Sequence, residues 1–268
     1  MPIPDRAHEP RGYSADLARR RRWVRAVAWL TALLLAATAA VVARSTGAHA
    51  AELQPYVASD ELEKALTLWP RLERGASLYR AQCAKCHGTQ GWGSASDERT
   101  PALAGQHYQY LVKQLADLRR AEPGLDRGAF HVAALQALRD AQGIVDVAAH
   151  LSGLEPNRRP RVGPGNHVRL GGAAYQWLCQ DCHKDGGEGD AILFTPRISA
   201  QHYPYLLQQL EDFAAGHRLN VPPELLGRAV ALSGEERAAL ADYVSRLPVT
   251  EPRAVARTVM RSTQSRSP

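Results

Sequence analysis

Apolar residues in the central part of the chain recur at the spacing of helices. In the segment HYQYLVKQLADL, which begins at His107, Leu111, Leu115 and Leu118 follow one another at intervals of four and three residues. This spacing places the three leucines on one face of an amphipathic helix. No stretch shows the convincing alternation of apolar and polar residues that is typical of a half-buried strand. The pattern predicts an all-α fold.

A second helix is predicted near the end of this region. Ser233 and Glu236 have the spacing of a capping box, in which the two side chains satisfy each other's backbone N–H groups. Apolar side chains follow on one face of the predicted helix, at Leu240, Tyr243, Val244 and Leu247.

The helical pattern occurs twice. HYQYLVKQLADL at His107 reappears as HYPYLLQQLEDF at His202, and GIVDVAAHLSGL near residue 150 matches RAALADYVSRL near residue 243. The match predicts one domain over residues 70–154 and a second over residues 168–248. Residues 155–167, rich in proline, glycine and charge, are predicted to be a linker, and residues 249–268 a disordered tail. Each copy is short for a domain that must build its core unaided, which favours a large buried cofactor.

The N-terminal region has a different pattern. Residues 26–43 are 18 positions without a charge, and the basic residues 1–25 precede them. As a helix they would be roughly 27 Å long, close to the thickness of a bilayer core. The arginines before this segment favour a cytoplasmic N-terminus and an exported remainder. We therefore predict a transmembrane anchor that holds the protein at the periplasmic side of a bacterial inner membrane.

An alternative interpretation of the same segment is a signal peptide. Ala48-His49-Ala50 resembles the small-residue site at which such a peptide is cleaved. Cleavage there would leave a soluble periplasmic protein. Under both interpretations the two repeated copies lie outside the cytoplasm.

The excess of basic over acidic residues lies almost entirely in the N-terminal region. The 268 residues carry a net charge of +6, but residues 1–50 hold 8 basic and 3 acidic side chains, and the rest hold 25 and 24. The repeated part therefore lacks the basic excess that a nucleic-acid surface needs, so no nucleic-acid partner is predicted.

The chemistry is concentrated in four cysteines, which form two identical patterns: Cys83-x-x-Cys86-His87 and Cys179-x-x-Cys182-His183. A zinc ribbon needs two such pairs about 15–20 residues apart, whereas 92 residues separate these two pairs. A thioredoxin-like dithiol accompanies a β-α-β pattern, which is absent from this sequence.

The third possibility is a c-type haem, held by thioethers to both cysteines, with the next histidine on the iron. The repetition favours this one and predicts two haem c groups.

At these residues the chain resembles the di-haem cytochrome c4 family. The resemblance rests on Cys83-x-x-Cys86-His87-Gly88, on the segment from Pro101 to Gln106, and on weaker equivalents in the second copy, Pro196 and Ser199-Ala-Gln201. It implies two tandem all-helical cytochrome c domains that pass single electrons. It also implies that the carbonyls of Pro101 and Pro196 accept hydrogen bonds from Nδ1 of His87 and His183.

The sequence departs from this family at the sixth iron ligand, which is usually methionine. The two methionines, Met1 and Met260, lie at the ends of the chain, outside both copies. In the first copy His131 occupies the usual methionine position, and we predict it as an iron ligand. Methionine ligation raises the reduction potential of a haem, so its absence is expected to lower that potential.

In the second copy the methionine position falls at residues 224–226, where leucines cannot ligate iron. His217 is the nearest upstream imidazole and is predicted as the ligand. The alternatives are an open or water-bound iron, or another donor such as His202. His107 and His202 occupy equivalent positions and are predicted to pack or to form hydrogen bonds.

The favoured function is that of an electron carrier between redox proteins of a respiratory chain. A haem enzyme or small-ligand-binding protein, with an open position on the second iron, is the second hypothesis. A structural or sensing subunit of a larger oxidase or dehydrogenase is the third.

Overall fold

A computed structural model describes residues 59–94, 99–120 and 134–249. Residues 1–25 and 26–43, His131 and nearly all of the predicted tail lie outside this part of the chain. No helix within the described ranges is long and apolar enough to cross a bilayer. In chain order, the helices are α1 Asp60–Leu66, α2 Leu72–Gln82, α3 Ala84–His87, α4 Tyr108–Arg120, α5 Ala141–Ser152, α6 Val168–Leu178, α7 Gln180–His183, α8 Tyr203–Ala214, α9 Pro223–Ala231 and α10 Gly234–Ser245.

The all-α prediction is confirmed for the described residues. Their β structure amounts to one isolated antiparallel bridge between Asp190 and Thr195. This bridge closes a short turn that follows α7, and it does not extend into a sheet.

The first copy of the repeat builds its core from α2, α4 and α5. Leu111 is buried, and Leu115 and Leu118 pack against the same cluster, as the spacing of the three leucines predicts. Helix α5 supplies most of the fully buried side chains, including Ile144 and Val147. Helix α1 precedes the predicted domain start at residue 70, yet it adds Leu62 and Ala65 to this core.

The second copy repeats this arrangement with α6, α8 and α10. The capping box at the start of α10 is confirmed, since Ser233 Oγ accepts from Glu236 N at 3.2 Å and Glu236 Oε2 accepts from Ser233 N at 2.8 Å. Leu240, Val244 and Leu247 are buried in the core, and Tyr243 packs against it. Helix α9 forms a separate small apolar cluster through Leu226 and Ala229.

A close helix crossing holds each copy together and confirms the alignment between them. In the first copy a Cβ on Gly75 would lie 1.9 Å from the Asp146 carbonyl oxygen, and in the second a Cβ on Gly171 would lie 1.9 Å from that of Ala239. Only glycine allows two helix backbones to approach this closely. The two copies therefore share the same crossing, although their sequences differ on the facing helices.

The segment predicted as a linker packs closely against its neighbours. The carbonyl of Glu155 accepts from Trp92 Nε1 at 2.8 Å, and that of Arg161 accepts from Tyr203 N at 2.8 Å. Asn157 is buried. The proline- and glycine-rich segment therefore has an irregular backbone, but hydrogen bonds hold it against its neighbours.

We predict that Gly171→Ala destabilises the protein by about 1–3 kcal/mol, the usual cost of overpacking a tight contact. The added Cβ would force α6 away from α10. Gly227→Ala is the matched control, because Gly227 is also helical but has no neighbouring atom within 4 Å of an added Cβ. The control should gain stability, by about 0.8–1 kcal/mol at most. Urea unfolding followed by far-UV circular dichroism measures both, and equal midpoints would contradict the prediction.

Candidate functional site

Each Cys-x-x-Cys-His motif forms one tight helical turn at the end of a longer helix. Cys83 ends α2, and its carbonyl accepts from the backbone N–H of His87 at 2.9 Å. In the second copy the Cys179 carbonyl accepts from His183 at 2.9 Å. The first cysteine of each turn packs against the core, whereas the second is exposed. Two thiols and an imidazole are thus carried on a single turn.

The orientation of each imidazole is set by a proline carbonyl. Nδ1 of His87 lies 3.2 Å from the carbonyl oxygen of Pro101, and Nδ1 of His183 lies 3.0 Å from that of Pro196. A carbonyl can only accept, so Nδ1 carries the proton and Nε2 carries the lone pair that can bind a metal. Burial lowers the pKa of His183, which favours this neutral form.

A buried tyrosine holds the turn that follows each histidine. The hydroxyl of Tyr79 donates to the Gly88 carbonyl at 2.6 Å, and that of Tyr175 donates to the Lys184 carbonyl at 2.5 Å. Gly88 and Lys184 occupy equivalent positions, and both have positive φ, at 77° and 65°. This backbone is easy for glycine and strained for lysine.

The core-facing thiols are held in their protonated form. Burial is the main cause that raises the pKa of Cys83 to about 11, followed by the nearby Cys86. Burial likewise raises the pKa of Cys179 to about 11 against the opposing effect of Arg228. Disulfide exchange uses the thiolate, so these thiols are poorly suited to it. Within the described ranges, no three His, Cys, Asp or Glu side chains converge on a potential metal-ion site.

The segments that contain Pro101 and Pro196 meet across a reciprocal interface that is formed by two glutamines. The amide of Gln106 accepts from Arg197 N at 2.8 Å and donates to Arg197 O at 2.8 Å. The amide of Gln201 makes the same pair of bonds to Ala102, both at 2.9 Å. Ala102 and Arg197 directly follow the two prolines that orient the imidazoles. Each copy therefore clamps the backbone next to the other copy's proline.

Two histidines complete this interface and are hydrogen-bonding residues, as predicted. Nε2 of His107 lies 2.7 Å from the carbonyl oxygen of Glu188, and Nε2 of His202 lies 2.7 Å from that of Trp92. Nδ1 of His202 accepts from Arg161 N at 3.0 Å. Both ring nitrogens of His202 thus have protein partners, which favours this structural role over the alternative of an iron ligand.

The predicted sixth ligands lie in different surroundings. His131 lies outside the described residues. His217 is exposed in the turn after α8, where its backbone N–H donates to the Asp212 carbonyl at 2.8 Å. Leu225 and Leu226 lie on α9 within the small apolar cluster, and Leu226 is buried. The second copy thus presents hydrocarbon at the usual methionine position.

Several residues that the motif analysis left without a role prove to be central. Gln106 and Gln201 belong to the segments that resemble the cytochrome c4 family. Their repetition at equivalent positions in the two copies is the sequence pattern that indicates a role. Tyr79 and Tyr175 also recur at equivalent positions, and His150 and Tyr243 pack against them with ring centroids 5.5 Å and 5.4 Å apart. Repetition of a polar or aromatic residue in both copies was therefore informative even where its partner was unknown.

The residues present fit haem c in both copies. Each turn presents two thiols that can attach a haem covalently. The following imidazole is protonated on Nδ1, so its Nε2 lone pair can bind the iron. The orienting carbonyls agree with this use.

Comparisons with known proteins agree with the site. The family model described as Cytochrome c matches residues 72–154. A cytochrome c4 of Thiocapsa roseopersicina is 34% identical, over 65% of this chain and 92% of its own length. That of Azotobacter vinelandii is 33% identical, over 62% and 85%. The crystal structure of reduced cytochrome c4 from Pseudomonas stutzeri superposes with a TM-score of 0.58 at 28% identity, covering 67% of this chain and all of that one. With its two haem c groups, the chain belongs to the cytochrome c4 family of electron-carrying c-type cytochromes.

Proposed function

We propose that this protein passes single electrons between redox partners of a respiratory chain on the periplasmic side of the inner membrane. The observation that supports it best is the duplicated turn, in which a proline carbonyl orients each imidazole. Electron transfer needs no acid, base or nucleophile, only two redox groups that are held rigidly and close together.

The haem-binding residues follow from the two turns. Cys83 and Cys86 hold the first haem by thioethers, and Cys179 and Cys182 hold the second. His87 and His183 ligate the two irons through Nε2. When bound, haem c supplies a one-electron ferric/ferrous couple.

The remaining residues keep this arrangement rigid. Pro101 and Pro196 accept the imidazole N–H groups, which keeps each Nε2 aimed in one direction. Gln106 and Gln201 hold the two proline segments against each other. An arrangement that changes little during a redox cycle favours transfer between the copies, since little structural reorganisation is then required.

The sixth ligands are assigned to His131 in the first copy and His217 in the second. A bis-histidine iron has a lower potential than the histidine–methionine iron usual in this family. His217 lies in the turn after α8, and its side chain is exposed.

Residues 26–43 are proposed to anchor the protein in the membrane. An uncharged run of 18 residues after a basic segment supports this location. The anchor would hold the two haem-binding copies beside membrane-bound donors and acceptors.

A second function is supported by the apolar cluster on α9. Leu225 and Leu226 occupy the position where a sixth ligand is expected. An iron that keeps this position open could bind a small molecule, such as nitric oxide or a peroxide, and act as a sensor or an enzyme.

We predict that the double variant Cys83→Ala/Cys86→Ala retains one haem per chain, and that Cys179→Ala/Cys182→Ala also retains one. Each pair of thiols attaches one haem, so removing both thioethers frees only that group. The pyridine haemochrome assay against protein concentration measures the ratio. The unaltered protein, with two haems, is the reference. Two haems in either double variant would contradict the attachment sites.

We predict that His131→Ala changes the first haem from low-spin to high-spin, because it removes the sixth ligand. Electron paramagnetic resonance of the oxidised protein measures the spin state. His167→Ala is the control, since His167 is exposed and lies in the predicted linker. An unchanged low-spin spectrum of the His131 variant would remove this residue from the site.

The same spectra distinguish the two functions. Two low-spin signals in the unaltered protein, one of them lost in His217→Ala, are expected of an electron carrier. A high-spin second iron that shifts on addition of nitric oxide or azide would favour the ligand-binding alternative and exclude His217.

A further inference from the structure

Arg228 on α9 reaches the turn that carries the second pair of cysteines. Its Nη1 donates to the backbone carbonyl of Leu178, the residue directly before Cys179. The charge of the same guanidinium also acts on the Cys179 thiol, because it opposes the rise that burial causes in the pKa of this thiol. A hydrogen bond and an electrostatic effect thus place one positive charge beside this attachment site.

The hydrogen bond holds the guanidinium at this place. Leu178 is the last residue of α6, and the carbonyls at the end of a helix lack partners within the helix and carry partial negative charge. A guanidinium is a favourable partner for such a carbonyl. The Arg228 side chain is accordingly half-buried rather than extended into solvent.

The charge of Arg228 is not cancelled by a neighbouring carboxylate. Within the described residues, other cations of the second copy are paired, Lys184 with Asp190 at 3.6 Å and Arg246 with Asp242 at 2.9 Å, whereas Arg228 forms no ion pair. An opposite charge cancels most of the field of a cation at longer range. The field of Arg228 therefore acts on the attachment turn at nearly full strength.

The first copy lacks this charge. The side chains of Asp140 and Ser233 cap the last helix of each copy, and Arg228 and Leu135 each lie five residues before this cap. Leu135 is buried in the apolar core against which Cys83 also packs. The equivalent position thus holds hydrocarbon in the first copy and a cation in the second.

We propose that Arg228 is a potential-setting residue of the second haem, and that the equivalent residue of the first copy has no such effect. The inference rests on the haem attachment proposed above. Reduction adds an electron to the haem, so a fixed positive charge nearby stabilises the reduced state relative to the oxidised state. Arginine keeps its proton at any working pH, so this contribution to the potential is constant with pH.

The test is a spectroelectrochemical titration of the full chain with both haems bound. Arg228→Gln removes the charge but keeps a side-chain N–H donor. It should shift the reduction equilibrium of the second haem about tenfold toward the oxidised state, which is about 59 mV for a one-electron couple. The first haem should change less than twofold. Arg228→Lys keeps the charge and should restore most of the shift.

Arg237→Gln is the matched control. The guanidinium of Arg237 also donates to backbone carbonyls of the second copy, but to those of Ala229 and Leu232 at the end of α9. Its loss should change either equilibrium less than twofold. If Arg228→Gln loses the second haem, Arg228→Leu, which introduces the residue of the first copy, should give the same shift.

Three results would overturn the proposal. The first is an unchanged second haem in Arg228→Gln or Arg228→Leu, and the second is an equal shift in Arg237→Gln. The third is a shift that Arg228→Lys does not restore, because the hydrogen bond and not the charge would then set the potential.

Failure of the haem attachment itself is distinguishable from these outcomes. It would appear in the unaltered protein, as fewer than two haems per chain in the pyridine haemochrome assay. Failure of the Arg228 proposal appears only in the potentials of the variants, with two haems still bound in each.

Discussion

The hydrogen bond between each imidazole and a proline carbonyl is the interaction on which the rest of this structure depends. It selects the tautomer of His87 and of His183 and sets the direction of Nε2. The residue after each proline is then clamped by a glutamine from the other copy. Haem ligation and the association of the two copies therefore act on the same short backbone segments. A shift of one copy against the other would therefore displace a carbonyl that orients an imidazole.

The two copies share this frame but differ in what they place around it. The Gly75 and Gly171 crossings, the tyrosine bonds and the glutamine clamps are equivalent. Arg228 stands where the first copy has Leu135, and His150 stands where the second copy has Tyr243. The backbone contacts of the scaffold are therefore equivalent in the two copies, because close contacts of this kind tolerate little change. The differences between the copies are found in the side chains around this scaffold.

The absence of methionine from both copies bears on what the protein can do. Methionine ligation raises the haem potential, so the proposed histidine ligation predicts lower potentials for both haems. The apolar surroundings of Leu225 and Leu226 make the second site the place where ligand binding could replace simple electron transfer.

Local pattern in the sequence determined the helices, the repeat and the haem attachment. The leucine spacing, the Ser233–Glu236 capping box and the two Cys-x-x-Cys-His turns depend on contacts within a few residues, so spacing alone predicts them. The glutamine clamps, the proximity of α4 and Arg218, and the packing of residues 155–167 join positions about 40 to 110 residues apart. Such contacts exist only once the helices are packed, because no local pattern encodes which surfaces meet. The tertiary structure alone therefore decided how the two sites are coupled.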